Sequence, residues 1–177
     1  MLTRPTPGEY NPYYKNYVNL VPDGDLLETL SDQINKTVKL VRTLNEKQCL
    51  FRYGPDKWSI KQVIGHVTDT ERIMGYRMLC IARGETVALP GYDDQLYIQH
   101  ASFESQSMEE LTDHLVAVRQ STIQLIKSMD EDAWLRKGNA NDDVISVRAL
   151  GCIIIGHEIH HRNIVKERYL NSHNYPI

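Results

Sequence analysis

The chain has 177 residues, 41% hydrophobic and 24% charged, an ordinary balance for one globular domain with a full core. With 20 basic and 23 acidic side chains its formal net charge is −3, which excludes the strong positive field that nucleic-acid binding requires. Its 3 cysteines are too few for a disulfide framework, and its longest apolar run, residues 149–156, is too short to span a membrane. No secretory leader is visible, so we expect a cytoplasmic protein that binds neither nucleic acid nor membrane.

Residues 1–23 are predicted to form an extended N-terminal arm. Prolines interrupt any helix there, while several tyrosines give the arm apolar surface to bury. The simplest interpretation, which we favour at this point, is an arm packed along the outside of the domain. Two other roles are a wall of an active site and a dimer contact. The tyrosines are Tyr10, Tyr13, Tyr14 and Tyr17.

Four long helices are predicted from the spacing of apolar residues and from residues that favour helix ends. The first begins after Asp25, an N-cap residue, and ends near residues 44–45. The second begins after Ser59, which can form a capping box with the glutamine three positions later. This second helix runs to about Ala82, with Gly84 just past its end as the C-cap.

Residues 85–106 are predicted to be a long crossing connection, with room for short helices of its own. The third long helix begins after Ser107, in a second capping box, and the fourth runs from Ser146 to about Tyr169. No segment shows the alternation of apolar and polar residues that is typical of a strand. The sequence therefore predicts an all-α four-helix bundle that forms a single domain over residues 1–177.

Histidines on two of these helices predict a metal site. His157 and His161 are one turn apart on the apolar face of the fourth helix, a spacing at which two imidazoles can bind one ion. His66 borders the inward stripe of the second helix and can supply a third ligand. Each could instead be an ordinary hydrogen-bonded core residue, and His160 could replace a neighbour as a ligand. The isolated His100, His114 and His173 are interpreted as surface residues.

Two carboxylates near these histidines are candidate catalytic residues. Glu158 completes a literal HExxH pattern, in which a zinc peptidase would use it as the base. The extended peptidase motif fails, however, because Ile164 and Glu167 stand where it requires glycine and histidine. Asp69 lies one turn after His66 and could accept a hydrogen bond from that ligand. The competing interpretation makes Asp69 part of a solvated ion pair and Glu158 an exposed helix residue.

Three parts of the chain resemble the DinB-like superfamily, and its YfiT-type branch in particular. The segment WSIKQVIGHVTDTER at 58–72 is similar to the signature of the second helix. The segment GHEIHH at 156–161, followed by ERY at 167–169, is similar to the signature of the fourth. The opening resembles the branch through Glu9-Tyr10, Tyr13-Tyr14, Leu20-Val21-Pro22 and Gly24-Asp25.

This resemblance implies a four-helix bundle, often a homodimer, with one divalent metal ion held by His66, His157 and His161 and with His160 as a non-ligand. Three imidazoles suit several transition metals, of which we expect zinc or nickel. The family's characterised members use the metal to activate a low-molecular-weight thiol such as bacillithiol or mycothiol. We therefore expect a transferase that joins such a thiol to an electrophile, in detoxification or a stress response. The alternatives are a hydrolase with metal-activated water, using Glu158 or Asp69 as base, and a bundle that binds a metal or small ligand without turnover.

Overall fold

A computed structural model describes residues 4–177; the first three residues of the predicted arm lie outside this range. The main helices form a four-helix bundle, as the sequence predicted. They are α2 (Leu26–Val41), α4 (Ile60–Ala82), α6 (Met108–Lys127) and α8 (Val147–Ile164), which continues as a π-helical segment over Val165–Leu170. Shorter helices are α1 (Lys15–Leu20), α3 (Glu46–Cys49), α5 (Asp94–His100) and α7 (Glu131–Leu135).

Local hydrogen bonds explain where the long helices begin. The hydroxyl of Ser59 accepts a hydrogen bond from the backbone N–H of Gln62, and the Gln62 side chain accepts one from the Ser59 N–H. Ser107 begins α6 through an equivalent capping box. Each box satisfies two backbone donors that a helix start would otherwise leave without partners. At the other end of α4, Gly84 has a φ of +86°, the left-handed conformation that glycine adopts at C-caps.

The connection between α4 and α6 carries α5 and a 3₁₀ turn at Phe103–Ser105. After α7, residues Lys137–Ala140 (β1) and Asp143–Ser146 (β2) pair as an antiparallel hairpin. The expectation of no strand was wrong at this point. Asn141 and Asp142 both have positive φ angles, the geometry of a tight hairpin turn, and the strands are too short and polar to produce a period-two pattern.

The arm is not extended throughout, because a 3₁₀ turn at Pro12–Tyr14 leads directly into α1. Helix α1 packs against α8. The contact is close at Gly156, where an added Cβ would lie 1.9 Å from the carbonyl oxygen of Tyr17. A side chain at position 156 would therefore force the arm away from the bundle.

Helix α8 is the central element of the fold. It contacts α1, α2 and α4, and every residue over 147–158 except the half-buried Arg148 is buried. Its burial on several sides means that polar groups pointing away from the apolar stripe also need partners inside the protein. None of the helices within residues 4–177 has both the length and the continuous apolar character of a membrane span.

Candidate metal centre

Three histidines converge between α4 and α8. The Nε2 atom of His157 lies 3.0 Å from Nε2 of His66 and 3.1 Å from Nε2 of His161. One potential ligand atom from each residue lies within 4.8 Å of the others. The three side chains, hereafter the histidine triad, thus come together in the structure.

The donor set fits a divalent metal ion. A tetrahedral ion bound at about 2.0–2.1 Å separates its nitrogen ligands by about 3.3 Å, close to the distances in the triad. Burial lowers the pKa of His66 to about 4, and it also holds the pKa values of His157 and His161 well below the ordinary value. All three imidazoles are therefore neutral at pH 7 and offer lone pairs, the form in which histidine binds zinc or nickel.

The triad lines a cavity of about 520 Å³, a size typical of small-molecule sites. Three tyrosines of the arm, Tyr13, Tyr14 and Tyr17, form one wall of this cavity. The ring centroid of Tyr17 lies 5.3 Å from that of His157. The arm thus packs against the bundle, as in the interpretation we favoured, and it also forms a wall of the cavity, as in one of the alternatives.

The family model of the DinB superfamily matches residues 29–165, which include the whole histidine triad. The chain belongs to the DinB superfamily. Its structure is similar to that of YfiT from Bacillus subtilis, with a TM-score of 0.72 and 16% sequence identity over 93% of this chain and 90% of the other. That protein is described as a probable metal-dependent hydrolase with an unusual four-helix bundle topology. At this identity the similarity shows a shared fold. No curated protein matches the chain by sequence.

The hydroxyl groups around the cavity of this DinB-superfamily protein are neutral at physiological pH. Burial raises the pKa values of Tyr14, Tyr17 and Tyr92 above the ordinary value. The Tyr92 hydroxyl lies 2.9 Å from that of Thr70, which also lines the cavity one turn after His66. Neutral phenols are hydrogen-bond donors, so the wall can stabilise negative charge that develops on a bound molecule.

The remaining histidines lie outside the triad. His160 packs against the arm, with its ring centroid 5.2 Å from that of Tyr17 and 5.1 Å from that of His161. Its nitrogens are not part of the three-histidine group. His100, His114 and His173 are exposed, as the sequence predicted.

The interpretation of Glu158 as an exposed helix residue was wrong, because only 1% of its surface is accessible. Its carboxylate accepts hydrogen bonds from Gln33 and Thr37 of α2 and pairs with Arg119 of α6 at 2.6 Å. Arg119 also binds Glu71 at 2.7 Å, which completes a buried network among α2, α4, α6 and α8. Glu158 is not among the residues that line the cavity. Its contacts are those of a residue that fixes the packing of the bundle.

Asp69 also lies outside the cavity lining. Its carboxylate accepts a hydrogen bond from Arg72 at 2.8 Å, in a partly exposed pair. Within residues 4–177, no hydrogen bond joins Asp69 to the triad, so Asp69 forms the partly exposed ion pair of the competing interpretation. Arg77, Tyr92 and Asp94 line the cavity and were missed in the sequence, because none lies in a motif that marks it.

Proposed function

We propose that this protein is a metal-dependent transferase that joins a low-molecular-weight thiol to an electrophilic small molecule. The observation that carries the proposal is the histidine triad, whose three neutral imidazoles meet at the wall of a cavity. Three protein ligands leave one position of a tetrahedral ion free for a substrate, which is the arrangement of catalytic rather than structural sites. Bacillithiol is one thiol of the expected class.

A bound divalent cation would favour the thiolate form of a coordinated thiol and so supply the nucleophile at neutral pH. The S–H proton leaves to solvent, and the sulfur forms a bond to the electrophilic carbon. The bond from that carbon to a halide or epoxide oxygen breaks, and its electron pair leaves with that atom. An epoxide oxygen then takes a proton, for which Tyr17 and Tyr92 hold neutral hydroxyl groups at the cavity wall.

Neither base that the sequence suggested for a hydrolase lies at the cavity wall. A hydrolase needs a base that accepts a proton from water within hydrogen-bonding reach of the substrate. The two bases considered from the sequence, Glu158 and Asp69, do not line the cavity. The cavity wall presents several phenol hydroxyls, which are donors that suit a leaving oxygen, and the carboxylates of Asp94 and Asp143.

Hydrolysis by metal-activated water is the second candidate. Asp94 lines the cavity and carries a carboxylate that could act as its base. The similar fold of YfiT, described as a probable metal-dependent hydrolase, adds support.

Conjugation of monochlorobimane to a small thiol tests the proposal. We expect zinc- or nickel-loaded protein to accelerate formation of the fluorescent conjugate. The His157→Ala/His161→Ala variant should lose this rate, whereas His114→Ala, a matched change at an exposed histidine, should keep it. Conjugation that is equally fast in the triad variant would refute the transferase. Metal-dependent turnover of an ester or amide without any thiol would favour the hydrolase, and absence of both activities would leave a metal-binding bundle.

A further inference from the structure

Arg77 of α4 lines the same cavity as the histidine triad, and it is only 2% exposed. One guanidinium nitrogen donates to the carbonyl oxygen of Pro90 at 2.7 Å, and another lies 3.7 Å from the sulfur of Met74. The guanidinium carbon lies 5.9 Å from the centre of the Tyr92 ring. Each of these partners is neutral.

Other buried cations of the chain have carboxylate partners. Lys61, also 2% exposed, pairs with Glu46 at 2.6 Å. Arg119, 1% exposed, pairs with Glu71 and Glu158. Across the described residues, 4–177, Arg77 has no such ion pair, although it is as deeply buried.

A buried guanidinium loses its bound water on folding, and contacts with neutral groups alone do not compensate for the lost hydration energy. An anion bound in the cavity beside Arg77 would supply the missing charge partner. We propose that Arg77 binds a carboxylate group of the molecule that occupies the cavity. The proposal rests on the proposed function only in treating this cavity as the substrate site.

The lining of the cavity favours a carboxylate over a phosphate. The planar guanidinium fork matches the two oxygens of a carboxylate, and Tyr14 and Tyr92 offer further hydroxyl donors. Asp94 and Asp143 line the same cavity, and Asp143 accepts a hydrogen bond from Asn11 at 2.6 Å. These two half-buried carboxylates repel a polyanion more strongly than a singly charged group. A thiol or electrophile that carries a carboxylate therefore fits this cavity better than a phosphorylated one.

Titrations with three probes test the proposal: butyrate, its neutral isostere butyramide, and inorganic phosphate. Binding is followed by chemical-shift changes in NMR spectra, on the metal-loaded protein and on protein freed of metal by a chelator. We expect butyrate to bind in both samples more tightly than butyramide or phosphate. In Arg77→Gln its affinity should fall by about ten- to a hundredfold, as expected for loss of a charge-assisted contact. Arg83→Gln, which removes the same charge from an exposed position, should leave the affinity unchanged.

Butyrate binding that survives in Arg77→Gln, or that disappears when the metal is removed, would overturn the proposal. So would phosphate binding more tightly than butyrate. If Arg77→Gln does not fold, Arg77→Lys is tested instead. Lysine keeps the positive charge but lacks the planar guanidinium group, so the affinity for butyrate should fall about threefold to tenfold. An unchanged affinity for butyrate would overturn the proposal. The metal content of the untreated protein is measured separately. Absence of metal would refute the metal centre, whereas the butyrate titration of metal-free protein would still test the role of Arg77.

Discussion

Replacing Glu158 by glutamine separates a structural role for this residue from a catalytic one. The carboxylate accepts hydrogen bonds from Gln33 and Thr37 and pairs with Arg119. The amide keeps one acceptor oxygen but turns an NH₂ group towards neighbours that are themselves donors. Hydrogen bonds to charged groups contribute about 1.5–3 kcal/mol each, and breaking a buried ion pair costs about 3–5 kcal/mol. Because Arg119 keeps Glu71 as a partner, we expect a loss near the lower end, about 3 kcal/mol.

For a chain of 177 residues, each kcal/mol shifts the melting temperature by about 2–4 °C, so Glu158→Gln should melt about 6–12 °C lower. Urea unfolding followed by circular dichroism measures the free energy of unfolding directly. Glu167→Gln, the same change at an exposed position of the same helical segment, should stay within about 0.5 kcal/mol of the parent protein. Folded Glu158→Gln should bind metal in the same ratio as the parent. Unchanged stability combined with lost turnover would refute the structural role and return Glu158 to the list of catalytic residues.

Three further outcomes are expected. Gly156→Ala should destabilise the protein by about 1–3 kcal/mol and expose the arm to limited proteolysis. The control Gly75→Ala, whose added Cβ would lie 3.9 Å from a single neighbouring atom, should be neutral or stabilising, and equal effects of the two changes would contradict the tight arm contact. Between pH 6.5 and about 4 the unfolded chain protonates His66 while the folded chain keeps it neutral, so this residue alone should cost metal-free protein about 1.4 kcal/mol of stability per pH unit as pH falls. The lowered pKa values of His157 and His161 add to that loss, and a flat profile in urea unfolding would argue against neutral buried imidazoles. Burial raises the pKa of Cys152 to about 11, so iodoacetamide at pH 8 should label this thiol only after unfolding. Rapid labelling of Cys152 in the folded protein would contradict the burial of this side chain.

The long helices could be predicted because their signals are local. A capping box involves residues three positions apart, and Ser59 and Ser107 start helices in the structure as their sequences indicated. The spacing of His157 and His161 is equally local, since one turn of helix places both on one face. The pairing of these two with His66 was a weaker prediction from the residues alone, and the family resemblance strengthened it.

The predictions that were wrong or incomplete concern contacts between segments that are distant in the sequence. The interpretation of Glu158 as an exposed residue fits a helix that buries one face, whereas α8 is surrounded by α1, α2 and α4. Arg77 lies in no motif, and its burial beside Pro90 depends on the path of the connection after α4. The hairpin had one usable signal, the Asn141-Asp142 pair, which favours positive φ angles in a tight turn.

The expectation of a homodimer concerns contacts between chains and stays a prediction. Its test is the molar mass in solution, measured by light scattering.

Metal content of protein purified without an affinity tag tests the central claim most directly. We expect close to one divalent ion per chain by mass spectrometry, and cobalt substitution should give the intense visible absorption of a tetrahedral site. The His157→Ala/His161→Ala variant should lose both signals, while His114→Ala should keep them. A parent protein that takes up no zinc, nickel or cobalt, or a triad variant that binds metal as well as the parent, would contradict the assignment of the histidine triad as a metal centre.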